Sequence, residues 1–350
     1  ETITKHWPRS MEIMSDVVIN PSFPTKEFER IRAEHLADLR RASADPIAVS
    51  QRAIRAILYG HGSPYGHPIE GTESSTRKMS REEIIDYFKT NFGPQNATLI
   101  AVGDITKEEL IDKASECFGD WDNLSKTQLF QGKVLLPTQP ATTVYIIDRP
   151  GAPQSVIQAG QATIARLDPD YFSLVIINQI FGGDPTARLF KNLRQDKGFS
   201  YGYYSQIDWM NGPSALIAGG SVQTGVTKES IVETLNEFTG ISTNKPISTQ
   251  ELGEATDGMS RGFPSQFQTR NQLLQALSQL SIFNLPDDYY SGVINNINSK
   301  TLRQIRSVAS NLIDHEHLSV LVVGDRKVIE PGVKELGLPL AVINDEGVLA

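Results

Sequence analysis

Apolar and polar residues recur with two different periods along this chain, and the periods divide it into strands and helices. TTVYIIDRP, beginning at Thr142, alternates as a strand, and residues 155–161, 201–208, 214–222 and 318–323 do the same. Helical spacing covers 169–180, 186–195, 228–238, 249–266, 269–283, 287–297 and 301–311, with Gly182 and Gly183 as a turn between the first two. Runs of strands stand apart from runs of helices. That order predicts an α+β layer, an antiparallel-rich sheet with helices on one face.

The pattern also repeats. NATLIAVGD at 96–104 reads almost as HLSVLVVGD at 317–325, an offset of 221 residues. The same offset pairs Ser80 with Thr301, each a suitable N-cap before a helical run, REEIIDYFKTNF in one case and LRQIRSVASNLI in the other. It roughly pairs the helix at 10–18 with that at 230–238, and a helix from Thr25 matches one from Ser248 after a short slip. Self-similarity at a fixed period signals a duplicated unit. Two repeated α/β sandwich domains are expected, at residues 1–124 and 142–350, joined by a linker over 125–141 that has no clear period. The second copy starts near Thr142, so the first lacks its N-terminal third in these residues.

Composition narrows the class. Hydrophobic residues make up 39% and charged residues 21% of the 350, as in ordinary globular domains. No apolar run approaches the roughly 20 residues of a membrane span. A net charge of −8 and the absence of a Lys/Arg cluster argue against nucleic acid as a partner. The single cysteine, Cys117, excludes an internal disulfide and falls in a helical pattern as a structural thiol. ETITKHWPRS has no basic start followed by an apolar core, so it is not a signal peptide.

For chemistry, the informative stretch is RLFKNLRQDKGFSYGYYS. Arg194 ends a helix, Gly198 suits the left-handed C′ position, and Tyr201 follows early on a strand. A guanidinium and a phenol placed together offer donors for peptide carbonyls or a developing oxyanion. The competing reading is an Arg complementing the helix dipole beside a half-buried Tyr.

With its flanks, FGGDPTARLFKNLRQDKGFSYGYYS resembles the second-domain signature of the pitrilysin or insulinase-type zinc metallopeptidases, the family of the mitochondrial processing peptidases. NPSFPTKEFERIRAEHLADLRRASADP and LYGHGSPYGHPIEGT resemble the part of that family's first domain just after the zinc motif. The resemblance implies that Arg194 and Tyr201 bind substrate across from a zinc ion. It also implies an HxxEH zinc motif with a distal Glu ligand. No HxxEH occurs here, and none of His6, His35, His61, His67, His315 and His317 has that context. Where the family carries a supporting Glu and, seven residues on, the zinc-ligating Glu, this chain has Ile31 and Asp38. Asp38 is one methylene shorter, and Glu34 lies a helical turn away as a displaced ligand; a solvated helix face is the plainer reading.

The resulting expectation is a subunit of a zinc-dependent metalloendopeptidase. It binds peptide or unfolded protein through Arg194 and Tyr201 while a homologue bearing HxxEH supplies the zinc, as a heterodimer or a homodimer. A self-sufficient zinc endopeptidase with HxxEH in residues outside this sequence, and a non-catalytic scaffold of the same fold, are the alternatives. The loop style of LYGHGSPYGHPIEGT resembles bacterial envelope proteins, and the periplasm is the compartment expected.

Overall fold

A computed structural model describes residues 1–122 and 134–349. Residues 125–133 of the expected linker lie outside them. The helices, in chain order, are α1 (Trp7–Ile19), α2 (Thr25–Ala44), α3 (Pro46–Tyr59), α4 (Glu73–Lys78), α5 (Arg81–Asn91), α6 (Lys107–Phe118) and α7 (Tyr171–Asn178). There follow α8 (Arg188–Phe190), α9 (Thr227–Thr239), α10 (Thr249–Gly262), α11 (Arg270–Ile282), α12 (Tyr289–Asn298), α13 (Leu302–Leu312) and α14 (Arg326–Lys334). The strands are β1 (Thr143–Asp148), β2 (Gln154–Thr163), β3 (Ser200–Asp208), β4 (Ser214–Gln223), β5 (Ser319–Gly324) and β6 (Leu340–Val342). Two compact units emerge. One comprises Glu1–Asp38, residues 72–122 and Phe263–Tyr289; the other comprises Leu39–Gly71, residues 134–262 and residues 290–349.

The second unit holds one six-stranded sheet in the order β3-β4-β2-β5-β1-β6. From β3 to β5 neighbours run antiparallel, whereas β5-β1 and β1-β6 are parallel, so the sheet is mixed. The central strand β5, SVLVVG, is buried along its whole length. A continuous β-branched and aliphatic run is what a strand covered on both faces requires. Two helices show that both faces are covered. Tyr203 of β3 points to α9, where Thr234 Oγ1 lies 2.8 Å from its hydroxyl. Ile217 and Ala215 of β4 point the other way and pack with Val49, Ala53, Ile54 and Leu58 of α3. The expectation of helices on one face is thus corrected: α3 covers the second.

Helix α3 forms where the sequence punctuates it. The Asp45 carboxylate accepts from the Ile47 N–H at 2.9 Å, Pro46 takes the first helical position, and Gly60 follows the last turn with φ +73°. Its apolar residues share one face, and Tyr59 anchors its end by donating to the Pro213 carbonyl at 3.0 Å.

On the opposite side, Arg188 grips Glu251 at the start of α10 with two hydrogen bonds of 2.6 and 2.9 Å. Burial pushes the Glu251 carboxyl up, but Arg188 and the Ser248 N–H outweigh it and hold the group at about 2, below its ordinary 4.5. This contribution to stability is in place above pH 4.5 and is lost as pH falls toward 2. Because Glu251 is 29% exposed, about 1–2 kcal/mol is the expected size. Glu251→Gln should therefore lower stability at pH 7 by that amount and flatten the acid limb of a stability–pH curve.

The first unit is helical. Ser80 caps α5 here, and Thr301 caps α13 in the second unit, each with a full capping box, as expected of both residues from sequence. Residues 96–104 differ from their counterpart. The matching stretch of the second copy is β5, but residues 97–104 belong to no strand, and Leu99 is 41% exposed. Periodicity specifies a strand's two faces. A ladder also needs a neighbour for its N–H and C=O groups, and the described residues offer this stretch none.

Candidate substrate-binding site

The Arg194 side chain leaves a helix that widens as it ends. After α8 the chain runs as a π-helical turn over Lys191–Asp196, anchored by Leu193, which is wholly buried. The Lys197 N–H donates to the Asn192 carbonyl at 3.0 Å and the Phe199 N–H to Leu193 at 2.9 Å. Gly198 makes that closure with φ +66°, the left-handed C′ residue expected from sequence. Space around it is open, so only backbone strain opposes a side chain there. Gly198→Ala should cost about 1–2 kcal/mol in a denaturation experiment without altering the fold.

Strand β3 starts two residues later and is pinned at once. Ser200 Oγ lies 2.7 Å from both the Gly202 and Ser221 carbonyl oxygens and accepts from the Gly202 N–H at 3.1 Å. The register with β4 slips between Ser200 and Tyr203. Such an irregularity re-aims a side chain, and here Tyr201 is turned out, 88% exposed. The guanidinium carbon of Arg194 stands over the Tyr201 ring at 5.0 Å from its centroid. The expected pair is therefore brought together.

Around it lies an open cavity of about 500 Å³, lined by Arg194, Gly198, Phe199, Ser200, Tyr201 and Gly202, and by Gln154, Ser221 and Gln223 from the ends of β2 and β4. The last three carry no motif. They reach the site only because β2, β4 and β3 are neighbours. Gly182, read as part of a turn, packs against β3 instead: a Cβ there would lie 2.5 Å from the Ser205 nitrogen. The glycine permits that approach.

The other candidates are not assembled. Glu34 and Asp38 share α2, but Glu34 accepts from Arg30 at 2.7 and 2.8 Å. Among the described residues no group of three or more His, Cys, Asp or Glu is placed to hold a metal ion, so these residues do not fit a zinc centre. His317 pairs with Asp314 at 2.8 Å and His315 Nδ1 lies 3.1 Å from Ser242 Oγ. Cys117 is half-buried and unbridged. No described helix is long and apolar enough to cross a membrane.

Comparison with known proteins agrees with this architecture. Residues 78–259, just over half of the chain, match the model of the peptidase M16 inactive domain. An uncharacterized zinc protease of Mycobacterium leprae, ML0855, is 21% identical over 317 residues, which span 88% of this chain and 68% of that protein. The beta subunit of the human mitochondrial-processing peptidase is 28% identical over 120 residues, 34% of this chain and 24% of that one. A crystal structure of the peptidase M16 inactive domain from Pseudomonas fluorescens superposes with a TM-score of 0.82 at 20% identity, covering 92% of this chain and 75% of that one, a likeness of fold. With a six-stranded mixed sheet of the M16 kind and a family model matched across its centre, this chain belongs to the peptidase M16 family, in which it matches the inactive domain.

Proposed function

We propose that this chain is the substrate-gripping subunit of a zinc-dependent metalloendopeptidase, in which a homologue bearing HxxEH supplies the metal. The observation that carries the reading is the Arg194–Tyr201 pair, whose side-chain donors meet no protein acceptor among the described residues while they face an open cavity. Arg194 is exposed, whereas the half-buried guanidinium of Arg188 nearby is matched by the Glu251 carboxylate. A pair of donors left open in a cavity suits an extended peptide, whose carbonyls need them. The match to the inactive-domain model and the subunit naming of the human relative support a division of labour between chains. On this reading the 221-residue repeat is two copies of one domain, and the periplasm is the compartment proposed.

Cleavage of an unstructured peptide by this chain alone, and by the chain mixed with an HxxEH-bearing homologue, tests the proposal. Zinc-dependent cleavage is expected only in the mixture, and Arg194→Gln together with Tyr201→Phe should lower kcat/KM of the mixture by about 10- to 100-fold. Strong zinc-dependent cleavage by the chain alone would defeat it. An unchanged mixture after both substitutions would point to a scaffold.

A further inference from the structure

The cavity around Arg194 carries information about the ligand as well as the chain. Its polar lining is asymmetric in charge. Arg194 is the one ionised side chain, and the remaining polar groups are the neutral amides of Gln154 and Gln223 and the hydroxyls of Ser200, Tyr201 and Ser221. Among the described residues no Asp or Glu lines it. Nor does any described carboxylate pair with Arg194, whose one recorded contact is the Tyr201 ring. This separates it from its neighbours. Arg188 is held by Glu251, and Lys197, three residues along, has Glu233 at 3.3 Å.

We infer that the cavity takes a carboxylate borne by an extended peptide, with Arg194 as the residue that selects it. The inference rests on the peptide-binding reading above and deepens it. A guanidinium presents a planar fork of donors that matches a carboxylate with two parallel bonds, each about twice as strong as a bond to a neutral carbonyl. The π face of Tyr201 balances part of the guanidinium charge without supplying an oxygen acceptor, so the fork keeps its capacity for an incoming anion. Ligands with several charges fit less well, because one cation stands against them and the chain as a whole carries −8. The neutral groups complete the match. Each Gln amide both donates and accepts, and no protein group pairs with the side chains of Gln154, Ser221 or Gln223 among the described residues. Such groups suit the amide N–H and C=O of the peptide that carries the carboxylate. A chain terminus and an acidic side chain offer the same chemistry.

Calorimetric titration with four unstructured decapeptides separates these possibilities: amide-capped and neutral; the same with a free C-terminal carboxylate; amide-capped with one internal Glu; and amide-capped with Gln in its place. A carboxylate-bearing peptide is expected to bind about 10-fold tighter than its neutral counterpart. The arm that shows the gain identifies the source, terminus or side chain. The gain should vanish in Arg194→Gln, shrink in Arg194→Lys, which keeps the charge and loses the fork, and persist in Lys191→Gln, which removes an exposed cation outside the cavity lining. Equal affinity for charged and neutral peptides, or a gain that survives Arg194→Gln, overturns the carboxylate inference and leaves the peptide reading standing. Binding of none of the four overturns both.

Discussion

Ile54→Asp should abolish cooperative folding of the sheet unit, with a loss of more than about 4 kcal/mol in chemical denaturation. Ile54 is wholly buried on the face of α3 that packs with Ile147, Val156, Ile217, Leu321 and Val323. A carboxylate there would be charged and unpaired, or protonated and without a hydrogen-bond partner. Ile47→Asp is the matched control on the same helix. Ile47 is 47% exposed in the first turn of α3, where an acid complements the helix dipole, so its effect should stay within about 0.5 kcal/mol. Equal tolerance of both substitutions would show that α3 is not part of this core.

Phe238→Ala is expected to cost about 3–5 kcal/mol. Phe238 ends the apolar face of α9 and meets Phe181 edge to face, with ring centroids 4.7 Å apart and planes at 64°. Both rings are fully buried, so truncation removes the transfer energy of one ring, strips the other of its partner and leaves a void. Phe238→Leu keeps much of the volume and should lose less than half as much. A result below about 1 kcal/mol for the alanine variant would mean the site collapses, contrary to the close packing described here.

The strands read from alternation, 155–161, 201–208, 214–222 and 318–323, coincide closely with β2, β3, β4 and β5, and TTVYIID with β1. These segments carry their own signal because each must present apolar side chains to packed helices. Sheet order and the parallel pairing of β1 with β5 and β6 were not legible, since they depend on how distant segments meet. Residues 340–342 of β6, all half-buried, are too few to show a period. Helix α3 escaped the reading despite its Asp-Pro start, and its role as cover for the sheet's second face has no local mark at all. Arg194 and Tyr201 were legible because a single turn carries both. Gln154, Ser221 and Gln223 were not, because only sheet order collects them. Residues 96–104 misled for the opposite reason: their pattern is that of a strand, and a pattern contains no partner.

The central position of β5 has a consequence for biosynthesis. Thr143 of β1 pairs with Ser319, and β2 reaches β1 only through β5, so these two early strands have no direct ladder with each other. Until about residue 324 has left the ribosome, β2 must wait with one edge open and β1 with both, since its other neighbour is β6, and α3 must wait for the surface it will cover. A nascent chain stalled before that point would carry apolar strand edges able to pair with other polypeptides. Holdase chaperones should therefore engage intermediates that end before β5 far more than the released full-length chain.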